Sequence, residues 1–242
     1  TYSMSDKTAD LYAFDSRFTG KSSAFKVTYE GKTYQFETRL AGRFNIYNTL
    51  GAIGAALSEG ISMETIAAAM KTFHSVPGRF ELIDEGQSFT VVVDYAHTPD
   101  GLEKILTTAQ EITKGRILVV FGCGGDRDKM KRPIMGRIAA RYADVAIVTS
   151  DNPRTEDPET IVKEVAAGVE EVKAEKPSLQ MEVVVDRRSA IQKAISLAKG
   201  DDIVLIAGKG HEDYQILKDK TIHFDDREEA RKALNESGAA RF

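Results

Sequence analysis

The chain has 242 residues, 42% hydrophobic and 29% charged, and its 33 Lys and Arg against 37 Asp and Glu give a formal net charge of -4. That is globular composition, long enough for one large domain or two ordinary ones. Mild acidity without a run of like charges excludes sequence-independent attraction to a phosphate backbone, so no nucleic acid partner is expected. The longest apolar runs are strand-sized, as in Ile117 to Phe121, far below the roughly 20 residues of a membrane span. Cys123 is the single cysteine, which excludes an intramolecular disulfide and fits a reducing compartment. The opening TYSMSDKTAD has no basic segment leading into an apolar one, so the cytoplasm is the expected location.

Thr1 to Phe14 already carries a strand-and-turn pattern with no initiator methionine, and the chain is expected to be a piece of a longer protein. Phe25, Val27 and Tyr29 alternate before a turn at Glu30-Gly31-Lys32, and Tyr34 and Phe36 alternate after it, the pattern of a hairpin. Leu50, Ile53, Gly54 and Leu57 recur at helical spacing up to Gly60, and a second helix begins at Ser62, with Ile66, Ala69, Met70 and Phe73 as one stripe. Ser75-Val76-Pro77-Gly78 breaks the pattern and marks a domain boundary, giving domains 1-77 and 78-242. Beyond it, strands are expected at Thr90 to Val93, Ile117 to Phe121, Val145 to Thr149, Glu182 to Val185 and Ile203 to Ala207. Helices at about 99 to 113, 132 to 142, 159 to 174, 188 to 199 and 226 to 236 alternate with them. Such alternation predicts an α/β fold: a doubly wound, mostly parallel, Rossmann-like sheet. Ligands of such sheets bind in the loops at the carboxyl ends of the strands.

The first of those loops, Asp94-Tyr95-Ala96-His97-Thr98-Pro99-Asp100, offers Asp94 and His97 as candidate site residues and Thr98 or, preferentially, Asp100 as a helix cap. The second, Gly122-Cys123-Gly124-Gly125-Asp126-Arg127, has glycines that let the backbone approach an anion ahead of a helix. The dinucleotide fingerprint fails there because its third glycine position holds Arg127, whose guanidinium suits an anion. Cys123 has no partner at a diagnostic spacing and reads as a small loop residue. The third loop places Asp151-Asn152-Pro153-Arg154 together: an ammonium acceptor, an amide and a carboxylate-binding fork, stiffened by proline, as an amino-acid ligand requires. The last, Ala207-Gly208-Lys209-Gly210-His211-Glu212, adds open backbone, a lysine and another acid to the same rim. The four histidines lack metal-ligand spacing, and His74 and His223 read as structural. Gly20-Lys21-Ser22 and Gly31-Lys32-Thr33 imitate the end of a phosphate loop, but Asp15 and Lys26 stand where the leading glycine belongs.

Taken in order, these loops resemble those of the Mur ligases of peptidoglycan synthesis. The resemblance rests on Gly42-Arg43-Phe44-Asn45-Ile46-Tyr47-Asn48, Pro77-Gly78-Arg79-Phe80-Glu81, Asp94 to Pro99, Phe121 to Pro133, Asp151 to Arg154 and Ala207 to Tyr214. Asp-Asn-Pro-Arg is the specific mark, similar to that of members adding meso-diaminopimelate to UDP-MurNAc-L-Ala-D-Glu. The resemblance implies ATP and Mg2+ as cofactors and an acyl phosphate intermediate. It implies that Arg154 and Arg127 bind carboxylate, that Asp151, Asn152, Gly208 and Glu212 hold ammonium groups beside Pro153, and that Asn45, Asn48, Arg79, Asp94 and His97 border the nucleotide. Phe44 stands where some members have histidine, so no role is carried there.

The resemblance also implies that residues 1-77 are the end of a central ATPase domain and that 78-242 are the C-terminal amino-acid-binding domain. The family's phosphate loop and carbamylated lysine are not in this sequence. No catalytic residue or metal ligand is assigned, the chain alone is expected to be inactive, and a monomer is expected. Two other readings stand beside it: a nucleotide-dependent oxidoreductase, resting on Gly122, Gly124 and Asp151, and a non-catalytic amino-acid-binding module.

Overall fold

The computed structural model describes residues 1–19 and 22–238, and the chain divides into two compact units after Ser75. The division lies two residues ahead of the boundary expected after residue 77, because Val76 bridges to Arg79 and ties the intervening turn to the second unit.

In the first unit, β1 (Tyr2–Ser3), β2 (Leu11–Phe18), β3 (Ser23–Tyr29) and β4 (Lys32–Thr38) form a sheet in that order, followed by α1 (Arg43–Ser58) and α2 (Met63–Thr72). The alternation at Phe25 and Val27 produces the expected hairpin, with Phe25 opposite Phe36 and Val27 opposite Tyr34. Its inward face packs Phe25, Val27 and Phe36 with Ile46, Leu50 and Ile53 of α1 and Met63 and Ile66 of α2. Burial of each such side chain contributes about 1.5–3 kcal/mol. The Ser62 hydroxyl caps α2 by accepting from Thr65 N at 3.3 Å. The stripe expected on α2 is corrected: Ala69 and Phe73 are exposed, whereas Met63 and Ile66 are buried and Ala67 and Met70 partly so. Gly31 lies in the hairpin turn while Lys32 and Thr33 already begin β4, and Gly20 and Lys21 lie outside the described residues.

The second unit runs β5 (Glu81–Leu82), β6 (Thr90–Asp94), α3 (Pro99–Ile112), β7 (Ile117–Phe121), α4 (Lys131–Tyr142), β8 (Val145–Val148), α5 (Pro158–Lys173), β9 (Gln180–Val183), α6 (Arg187–Leu197) and β10 (Ile203–Ala207). A small hairpin, β11 (Tyr214–Ile216) with β12 (Thr221–His223), and α7 (Asp226–Glu236) follow. The large sheet has the order β5-β6-β10-β7-β8-β9. Only β5 is antiparallel to its neighbour, so the unit is the mostly parallel α/β sheet expected. Its central strands are buried on both faces, as their unbroken apolar runs require.

The strand expected at 182 to 185 begins two residues earlier. Gln180 N donates to Asp144 O and starts the pairing, and Val184 and Val185 continue only as isolated hydrogen bonds to Val148 and Ser150. As an edge strand, β9 is largely exposed, so no apolar run marks its start. Thr98, not Asp100, caps α3, and Asp100 instead pairs with Lys104 at 2.8 Å. Among the described residues no helix is long and apolar enough to cross a membrane.

Candidate functional site

Strands β6, β10, β7 and β8 are neighbours and parallel, so the loops after them meet at one edge of the sheet. There they enclose a cavity of about 430 Å³, within the usual range for small-molecule sites. His97, Arg127, Asp151, Asn152, Arg154, Gly208 and Glu212 all line it, so the structure gathers residues spread over more than a hundred positions of sequence.

The acidic side of the cavity is a connected network. Asn152 Nδ2 donates to Glu212 Oε2 at 3.0 Å, and Asn152 Oδ1 accepts from Ile216 N at 2.9 Å. Lys209, fully buried, reaches Asn152 Oδ1 at 3.1 Å, Glu212 Oε2 at 3.2 Å and Asp151 Oδ1 at 3.6 Å. The last distance is an ion pair without a hydrogen bond, and Asp151 Oδ1 is a buried acceptor with no hydrogen-bond partner. A buried carboxylate oxygen in that condition is costly until a donor arrives. Glu212 charge, followed by burial, raises the Tyr214 phenol above its ordinary value.

The basic side carries Arg127 and Arg154. Arg154 adopts φ 52°, a left-handed conformation unusual for a side-chain-bearing residue. It is held there by its own amide, which donates to Ile216 O at 3.1 Å, and by Nη1, which donates to Gly125 O at 2.9 Å and Asn152 O at 3.3 Å. Strain kept by several converging contacts marks a conformation the surroundings impose. Arg127 is exposed and donates through Nη1 to Asp126 O at 2.9 Å.

The glycines of the 122–125 loop also serve the packing of one loop on the next. Gly125 N donates to Asn152 O, and a Cβ on Gly125 would stand 1.9 Å from Pro153 O. They let two loops close on one another. The pair is locked further by Arg132, fully buried, which donates to Glu156 at 2.9 Å and Glu164 at 2.6 Å, while Glu156 accepts from Asp126 N at 2.6 Å. The Arg132 hydrogen bond, with that of the Asp126 amide, holds the Glu156 carboxyl down at about 2. Cys123 is buried in the same loop, and burial pushes its thiol up to about 11.

The residues expected beside a nucleotide divide between the units. In the second unit, Arg79 lies over the Tyr95 ring at 4.6 Å, and Tyr95 packs against His97 at 4.5 Å and His211 at 5.1 Å. Asp94 is buried, its carboxylate accepting from Phe80 N at 2.7 Å and Ala96 N at 2.8 Å. Burial moves that carboxyl upward against those two hydrogen bonds and the Arg79 charge. In the first unit, Asn45 is turned onto its own helix start, donating to Ala41 O at 2.8 Å and accepting from Asn48 Nδ2 at 3.1 Å. His74 contacts Arg39 and His223 contacts Glu228, both at 2.8 Å. Among the described residues no group of three or more His, Cys, Asp or Glu side chains converges as a metal site.

Sequence reasoning placed Lys209 at the rim without a role and overlooked Arg132 and Arg187. The signal for Lys209 was available in its position between two glycines directly after a fully apolar strand.

Residues 78–210 match the family described as Mur ligase, glutamate ligase domain, and residues 1–56 match the Mur ligase middle domain. A UDP-N-acetylmuramoyl-L-alanyl-D-glutamate--2,6-diaminopimelate ligase of Clostridium botulinum is 49% identical over 238 residues, 98% of this chain and 48% of the relative. The ligase of the same name from Geobacillus kaustophilus is 50% identical over 239 residues, 98% of this chain and 47% of its own length. The chain thus spans about half the length of the curated relatives it matches. A solved structure of a ligase of that name superposes with TM-score 0.75 at 37% identity, covering 98% of this chain and 48% of the other. A folylpolyglutamate synthase from Thermotoga maritima, 20% identical with TM-score 0.62 over 82% of this chain and 44% of its own, shares the fold. With a family match over residues 78–210 of 242 and a second over residues 1–56, this chain belongs to the Mur ligase family.

Proposed function

We propose that this chain is the amino-acid-binding portion of a ligase that joins meso-diaminopimelate to UDP-MurNAc-L-Ala-D-Glu in peptidoglycan synthesis. On this reading residues 78-242 are the amino-acid-binding domain and residues 1-77 the end of the central ATPase domain. The observation that carries it is Asp151 Oδ1, a buried acceptor without a hydrogen-bond partner on a cavity that also holds the Arg154 and Arg127 guanidiniums. A cavity with an open carboxylate on one side and two forks on the other suits a zwitterion. The names of the relatives, which specify 2,6-diaminopimelate, support the same assignment.

Asp151, Asn152 and Glu212, with the Gly208 backbone, hold the ammonium groups and orient the attacking amine. Arg154, aided by Arg127, pairs with the distal carboxylate that distinguishes diaminopimelate from lysine, and Pro153 fixes the turn between Asn152 and Arg154. ATP supplies the phosphoryl group that activates the glutamate γ-carboxylate. The amine nitrogen then forms the amide bond as the acyl–phosphate bond breaks, releasing phosphate and a proton. Arg79 and His97 fit the nucleotide side through the guanidinium and ring surfaces they stack around Tyr95. Asp94 is committed to hydrogen bonds within the second unit, and Asn45, with Asn48 attached to it, to hydrogen bonds within the first; the family resemblance alone assigns these three to the nucleotide. The Mg2+ the family resemblance implies has no ligand cluster among the described residues, and no step is assigned to it. The whole enzyme is proposed to act as a cytoplasmic monomer, and the 242-residue chain to lack turnover by itself.

Loss of one partner from a desolvated ion pair costs about 2–5 kcal/mol. Arg154→Ala in the intact ligase is therefore expected to abolish the preference for diaminopimelate over lysine in a competition assay. Unchanged selectivity overturns the assignment.

A further inference from the structure

Lys209 is fully buried, yet it lies in a loop at the rim of an open cavity. The backbone explains how: Gly208 at φ 123° and Gly210 at φ 54° flank it, conformations that glycine takes at little cost, and they turn the lysine back beneath the rim. An ammonium in such a place must be charge-compensated, and the groups that compensate it are Asn152 Oδ1, Glu212 Oε2 and, at 3.6 Å, Asp151 Oδ1. These are the three side chains assigned above to the ammonium groups of the ligand.

We propose that Lys209 is a positioning and specificity-setting residue: a resident ammonium that orients Asn152 and Glu212 and leaves the acidic side of the cavity with one net negative charge. The inference rests on the amino-acid-binding reading of this cavity. Two consequences follow from the contacts. Asn152 Oδ1 is fixed between Lys209 Nζ and Ile216 N, so its Nδ2 is directed at Glu212. One amide orientation is thereby imposed before any ligand arrives, the preorganisation that binding sites depend on. The charge balance follows as well. Asp151 and Glu212 contribute two negative charges and Lys209 one positive. The remaining hydrogen-bonding capacity on Asp151 Oδ1 is therefore left for the ligand. Without Lys209 the two carboxylates would face the cavity with no resident cation between them.

The test uses the intact ligase with Lys209→Met, which keeps the apolar stem and removes the charge, and Lys209→Ala, which opens space for an added amine. In Lys209→Met the KM for diaminopimelate is expected to rise about 30-fold or more, the consequence of losing a buried charged partner, while the KM for ATP stays within about twofold, the scatter of an independent site. In Lys209→Ala, n-propylammonium chloride is expected to lower the KM for diaminopimelate toward the parent value, and n-propanol with matched sodium chloride is not. A KM for diaminopimelate unchanged in Lys209→Met, equal rises in both KM values, or equal rescue by the alcohol overturns the proposal. Absence of diaminopimelate-dependent turnover in the parent enzyme would instead sink the functional reading beneath it.

Discussion

Arg187 and Asp226 form a two-point ion pair with both side chains fully buried: Nε to Oδ1 at 2.8 Å and Nη2 to Oδ2 at 2.7 Å. Arg187 also donates to Ala207 O at 2.9 Å, the last residue of β10, so the pair braces the floor beneath the cavity loops. Removing one partner of a buried pair costs about 3–5 kcal/mol, because it strands the other charge. Asp226→Asn is expected to lose stability on that scale in urea unfolding. A midpoint matching the parent contradicts the role given to the pair.

Glu156 gives a pH signature. Its carboxyl falls from an ordinary 4.5 to about 2 in the folded chain, through the Arg132 hydrogen bond first and the Asp126 amide next. A carboxyl depressed by folding stabilises the fold above its unfolded value, and that stabilisation disappears as pH drops through the folded value. Glu156→Gln should therefore melt below the parent at neutral pH, and the gap should narrow between about pH 4.5 and about pH 2. A gap in Tm that stays constant across this window refutes the assignment.

The Cys123 thiol is raised to about 11, burial being the main cause and the Asp151 charge adding to it. Only the thiolate reacts readily. Ellman's reagent at pH 8 is expected to label Cys123 slowly in the native chain and fully in guanidinium chloride. Rapid native labelling, at the rate of a free cysteine peptide, argues against the packed loop.

Gly125→Ala tests the closure of the two loops. The added Cβ would meet the Pro153 carbonyl at 1.9 Å, a backbone contact that cannot turn aside as a side-chain tip can. Overpacking of this kind costs about 1–3 kcal/mol, and displacing Gly125 also pulls on Arg154, which donates to its carbonyl. Both thermal stability and diaminopimelate affinity are expected to fall together in calorimetry. An unaltered melting curve overturns the argument.

The strand-helix alternation of the second unit was legible because Ile117–Phe121, Val145–Val148 and Ile203–Ala207 are unbroken apolar runs between amphipathic helices. Periodicity carries no information on pairing, however, so the place of β10 between β6 and β7 was not readable. The site residues were legible as a group, since parallel strands deliver their following loops to one edge. Their individual contacts were not. Arg154 reads in the sequence as a carboxylate-binding fork, and the sequence does not reveal that its Nη1 is also anchored to two carbonyls. Asn45 was read toward a nucleotide, whereas its amide closes on Ala41. The glycines before Asp126 read as room for an anion, and the sequence does not reveal that Gly122 and Gly125 also make room for the backbone of Thr149 and Pro153. The Arg154 and Gly125 contacts join loops about 29 residues apart in sequence, whereas the Asn45 contact spans four residues at a helix start.

The sheet order also sets when the cavity can exist. β10 begins at Ile203, late in the chain, yet it pairs on one side with β6 from Thr90 and on the other with β7 from Ile117. A nascent chain that has emerged only as far as residue 200 thus carries β6 and β7 with a gap where their shared partner belongs. Contacts this distant in sequence form slowly and leave strand edges exposed in the meantime. Insertion of β10 therefore closes the sheet and, in the same event, delivers Gly208, Lys209 and Glu212 to Asp151 and Asn152. A product that ends before Ile203 lacks Gly208, Lys209 and Glu212, and with them the acidic network of the cavity.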